Sequence, residues 1–140
     1  MYYFFQKTHS GWAYLLLLIL IAALLNAAIG YFSKKEFTPK DRKIALFALV
    51  FTHIQLLIGI VVYFLSPIGL AVLGEMKNAD LRLTSLEHPL TNIIAIILIT
   101  IGWSKHKSKN TSQEKFKTIF VFYGLGLFLL LLKIPWKMWF

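Results

Sequence analysis

Three histidines, His9, His53 and His88, and the stretch Thr84-Ser85-Leu86-Glu87-His88-Pro89-Leu90-Thr91-Asn92 carry the chemistry of this sequence. Each histidine lies in or beside an apolar run where lipid is the expected neighbour. The run at 90–102 is too short to cross a bilayer, which takes roughly 20 helical residues at about 1.5 Å each. The crossing helix must therefore include 81–89. His88 then lies inside the membrane, where an ionisable side chain is a functional hypothesis by default. A neutral imidazole there can ligate a metal or carry a proton. Cysteine is absent, which removes disulfides, thiolate nucleophiles, iron–sulfur clusters and thiolate zinc sites and leaves histidine and carboxylate as ligands.

The elements that must position these residues follow from composition. With 58% hydrophobic residues in a chain of 140, the sequence reads as an all-α integral membrane protein of one transmembrane domain. Four helices are expected at about 11–32, 44–65, 81–103 and 118–134, forming a four-helix bundle with no room for a separate soluble module. The first apolar segment has no convincing small-x-small cleavage site and reads as an uncleaved span. The net charge of +9 does not point to nucleic acid, because ten of the fifteen basic residues fall in two short loops. Lys34, Lys35, Lys40, Arg42 and Lys43 lie in one, and Lys105, Lys107, Lys109, Lys115 and Lys117 in the other. This positive-inside pattern puts both loops in the cytoplasm and both termini on the outer, periplasmic side of a bacterial inner membrane. His106, among those lysines, reads as a solvated loop residue.

Helical spacing sorts the faces. His9, Ala13, Leu16, Leu20, Ala23, Ala27 and Gly30 share one face of the first helix. Ala45, Ala48, Thr52, Gly59 and Tyr63 form a small and polar stripe on the second, flanked by Gln55 on one side and His53 on the other. Thr84, His88, Thr91, Ala95 and Gly102 share a face of the third, with Ser85 and Asn92 beside them. Pro89 frees a backbone carbonyl near His88 for a side chain or water. The fourth helix has Gly124 and Gly126 for packing, and its role reads as structural.

Depth then pairs the histidines. Counted from the cytoplasmic boundary, His53 lies at roughly 15 Å, His88 at roughly 23 Å and His9 at roughly 35 Å. A haem held by two histidines needs both at nearly one depth. His53 with His88, about 8 Å apart in depth, is the first choice, and His9 with His88, about 12 Å apart, is the reserve. Arg82, and His9 if it is not a ligand, are candidates for the haem propionates. Thr52, Gln55, Thr84 and Asn92 can hold the second nitrogen of an imidazole or a quinone carbonyl. Glu87 has two readings, a proton carrier beside His88 or an ion-pair partner of Arg82 or His9 at the outer face. Each histidine also has a plain reading as a hydrogen-bonded packing residue between helices.

His9-Ser10 before the first helix, Phe51-Thr52-His53-Ile54-Gln55-Leu56-Leu57-Ile58-Gly59 in the second and Glu87-His88-Pro89 opening the third resemble short four-span cytochrome b-like membrane proteins of the Bacteroidetes. The resemblance extends to Phe122-Tyr123-Gly124 and Ile134-Pro135-Trp136. It implies haem b on the histidines of helices one to three, and electron exchange with quinol. The expectation is therefore a membrane-bound b-type cytochrome transferring electrons through haem on His53 and His88. Its partners would be the lipid bilayer, a quinone and other membrane proteins, and it would serve as an electron carrier or accessory subunit more than as a stand-alone enzyme. Two rivals stand beside it: a cofactor-free accessory or assembly subunit of a larger inner-membrane complex, and a histidine-lined metal or proton site.

Overall fold

The computed structural model describes residues 1–139. Among them, four helices are long and apolar enough to cross a membrane: α1 (Tyr2–Phe32), α2 (Pro39–Leu65), α3 (Ala79–Lys107) and α4 (Ser112–Leu132). Several begin earlier than hydropathy alone predicts, because polar caps rather than apolar residues start them. Thr38 and Asp41 form a reciprocal capping box with Pro39 at the first helical position. The Asn78 side chain accepts from the N–H groups of Asp80 and Leu81 and caps α3. Thr111 accepts from Glu114 N–H and starts α4.

Short connections make successive helices antiparallel neighbours, and α1 closes the ring against α4, so α1 lies diagonal to α3. The interior is the set of small-residue stripes read from the sequence. Leu16, Leu20, Ala23, Ala27 and Gly30 of α1 are buried, as are Ala45, Ala48 and Thr52 of α2. Gly126 brings α4 onto α3: a Cβ there would lie 2.5 Å from the Ile99 side chain and 3.1 Å from Ala95 O. Gly102 answers it, with the Phe122 side chain filling its open face. The outward faces are apolar, with Leu18, Ile29, Phe47, Leu57, Phe64 and Phe128 each more than half exposed. In water such a surface would aggregate; in a bilayer it is the solvated surface.

Two polar clusters sit where the sequence places only structure or solvent. Tyr123 of α4 is fully buried and donates its hydroxyl across the bundle to Ala45 O at 2.8 Å. His106 is 1% exposed rather than solvated. It lies in the last turn of α3, with Nδ1 on Trp103 O and its ring against Trp103 and Phe37. The lysines around it rest on those same aromatic rings, Lys107 on Trp103 and Lys115 on Phe37, so the basic loop covers the histidine instead of exposing it to water.

Candidate functional site

The opposite end of the bundle, beside the 66–78 loop, holds the site. Here α3 is not a regular helix. Leu83–Glu87 forms a π-helical turn, and the N–H of His88 reaches back five residues to Leu83 O. Pro89 follows and has no N–H to offer, so the Ser85 carbonyl has lost its normal helical donor. The Tyr63 hydroxyl of α2 supplies one instead, at 2.9 Å. The carbonyl freed by Pro89 was legible in the sequence. Its partner was not, although Tyr63 stood on the polar stripe of α2.

His88 projects from this junction into the bundle and meets His9 of α1. Their ring centres are 6.2 Å apart with the planes nearly perpendicular, at 89°. The Nδ1 of His88 lies 2.9 Å from Lys133 O at the end of α4. A carbonyl only accepts, so Nδ1 carries the proton and Nε2 keeps its lone pair. Asn92 Nδ2 lies 3.2 Å from that Nε2. On the other side Gln55 Nε2 donates to His9 O at 2.9 Å. With their amide nitrogens so used, Asn92 Oδ1 and Gln55 Oε1 are buried without a partner among the described residues, as is His9 Nδ1. Two unpaired amide oxygens and an unpaired ring nitrogen around one space are unusual in a finished interior and mark it as a place for something else.

That space is a cavity of about 190 Å3, lined by His9, Gln55, Thr84, His88 and Asn92 together with apolar side chains such as Leu16 and Leu130. Gly59 gives His9 its room, since a Cβ on Gly59 would stand 3.1 Å from the imidazole Cε1. The donor set suits a haem. An imidazole nitrogen sits about 2 Å from a bound metal and roughly 1 Å from its own ring centre, so two imidazoles across one ion have centres about 6 Å apart. A void of ~150 Å3 accepts a single benzene ring. A macrocycle is much larger than that, so the cavity of about 190 Å3 does not by itself enclose one.

Not every candidate comes to this place. His53 is exposed on the lipid-facing side of α2, with its Nδ1 turned onto Leu49 O of its own helix at 2.8 Å. The structure thus brings His9, and not His53, to His88. The reason is angular: depth follows the rise per residue, but each residue also turns the helix by about 100°. Thr52 takes the inward direction and His53 the next one. Thr52 is fully buried, and its hydroxyl bonds Leu49 O rather than an imidazole. Thr84 lines the cavity while its hydroxyl stays within hydrogen-bond reach of Asp80 O and Leu81 O. Arg82 does not line it and instead binds Met76 O and approaches Glu87 at 3.7 Å. Glu87 also pairs with Lys133 at 3.2 Å, a partner the sequence did not indicate. Among the described residues no cluster of three or more His, Asp or Glu side chains stands ready for a metal ion. Comparison with protein-family models, curated proteins and solved structures finds no match to the chain.

Proposed function

We propose that the chain is a b-type cytochrome of a bacterial inner membrane, with haem b held between His9 and His88. The observation that carries the reading is the 6.2 Å separation of the two imidazole centres on diagonal helices, close to the spacing that two imidazoles holding one metal ion between them would have. When bound, haem supplies reversible one-electron Fe(III)/Fe(II) exchange, here with quinol or a membrane partner. The chain's own residues do the rest. Lys133 O holds the His88 proton on Nδ1 and leaves Nε2 for the metal. Gly59 leaves space for the His9 ring, and Leu16 and Leu130 keep water from the iron position. Gln55 ties α2 to the His9 backbone and steadies the second ligand. Asn92 Nδ2 lies 3.2 Å from the same Nε2 and would have to leave that nitrogen free if it held a metal.

The basic residues within 34–43 and 105–117, at one end of the bundle, support a cytoplasmic position for those loops, which would put both termini and the site in the periplasmic half. The test is the optical spectrum of gently solubilised protein, oxidised and then reduced with dithionite, with haem counted by pyridine haemochrome. The expected result is one haem per chain with sharp reduced bands. His9→Ala and His88→Ala each abolish it, while His53→Ala keeps it. A folded, colourless protein that takes up no added haemin overturns the reading.

A further inference from the structure

The imidazole of His88 can face His9 only if the helix beneath it keeps its irregular turn, and the structure shows what holds that turn. The π register at Leu83–Glu87 inserts one residue into the helical count. Ser85 thereby points inward, 1% exposed, with its hydroxyl donating to Leu81 O at 2.5 Å. An inward-facing carbonyl without a donor is costly in a membrane interior. At Ser85 the α-helical donor is missing, because the residue four positions on is Pro89. The Tyr63 hydroxyl does so from α2. Tyr63 is itself fixed, since the outer loop returns over its backbone: a Cβ on Gly69 would meet Tyr63 O at 2.3 Å.

We propose that Tyr63 is a positioning residue for His88: its hydroxyl fills the gap that Pro89 leaves in the α3 ladder and so locks the turn that aims the imidazole at His9. The consequence for haem rests on the cytochrome reading, whereas the placement of His88 does not. Lys133 O and Asn92 hold the ring itself, and locking the backbone that carries it fixes the direction in which Nε2 is presented. Proline at 89 and tyrosine at 63 then form a matched pair, one removing a donor and the other restoring it from a neighbouring helix.

The experiment uses the full chain in detergent micelles with 15N-labelled histidine. In the apoprotein, Tyr63→Phe, which keeps the ring and removes only the hydroxyl, is expected to move the His88 Nδ1 resonance away from its hydrogen-bonded position. In the haem-loaded protein the same change is expected to speed haem loss by about tenfold and to broaden the low-spin ferric EPR signal. Tyr63→Phe combined with Pro89→Ala gives residue 89 an N–H for Ser85 O, and both signals should return toward those of the parent. If Tyr63→Phe does not fold, recovery of the fold in the double variant supports the same conclusion. An unchanged His88 resonance in folded Tyr63→Phe, or a double variant that restores nothing, overturns it. A parent protein that binds no haem but whose His88 resonance responds to Tyr63→Phe overturns only the cytochrome reading.

Discussion

The proton on His88 Nδ1 is spoken for by Lys133 O, and the side chain of that same lysine pairs with Glu87, the residue just before His88. One residue at the end of α4 thus holds the ring through its backbone and its neighbour through its ammonium. Glu87 is 26% exposed, so the ion pair itself contributes little energy, and its use is to keep Lys133 in place. At the other end of the bundle Asp41 is a different kind of carboxylate. It is 2% exposed and accepts from Lys35 at 2.7 Å, Asn26 at 3.0 Å and Thr38 N–H at 2.8 Å. These bonds join the end of α1, the connecting loop and the cap of α2. Asp41→Asn keeps the size but loses the charge that every donor was placed to meet. We expect it to lower stability by about 1–3 kcal/mol, read as an earlier thermal transition in detergent, with haem content unchanged.

At the scale of elements, two glycines that look alike in the sequence have separate duties. Gly126 lets α3 and α4 touch, and its neighbours on the far side include backbone. Gly126→Ala improves local helix propensity by up to about 1 kcal/mol, but the methyl must push against Ile99 and Ala95 O. Overpacking of this kind costs about 1–3 kcal/mol, so the net expectation is a lower melting temperature. Gly59 instead faces the His9 ring. A larger side chain there must displace the His9 ring, which lines the cavity. Gly59→Leu is therefore expected to abolish haem binding, and Gly126→Ala to lower the melting temperature with haem binding kept. Equal loss of both properties in either variant would show that cavity and helix contact are not separable.

For the whole molecule, the apolar outer surface and the two basic loops together define how the bundle lies in a bilayer. Single cysteines at positions 40 and 109 should react with an impermeant thiol reagent only after cells are opened, and one at position 77 should react in intact cells whose outer membrane has been permeabilised. The parent has no cysteine, so each label reports one position. The opposite pattern would turn the site toward the cytoplasm. For the cytochrome proposed above, the electron-exchange partner would then have to be sought on that side of the membrane.

How much of this was legible beforehand differs with the kind of feature. The four helices and the buried stripes of α1 and α2 were visible in the sequence, because length, hydropathy and a 3.6-residue period are properties of a segment by itself. So was the carbonyl freed by Pro89, since a proline lacks its N–H in any context. The identity of the histidine pair was not. Depth along an axis is local, but whether His53 looks into the bundle or out to lipid depends on which side of α2 meets α1 and α3. Those contacts turn Thr52 and Gly59 inward and leave His53 outside. The burial of His106 by Trp103 and Phe37, the Tyr63 bond to Ser85 and the grip of Lys133 O on His88 likewise join residues far apart in the chain. Periodicity within one helix carries no information about the rotation of its neighbours, and that rotation, decided only by tertiary packing, is what brings His9 and His88 together.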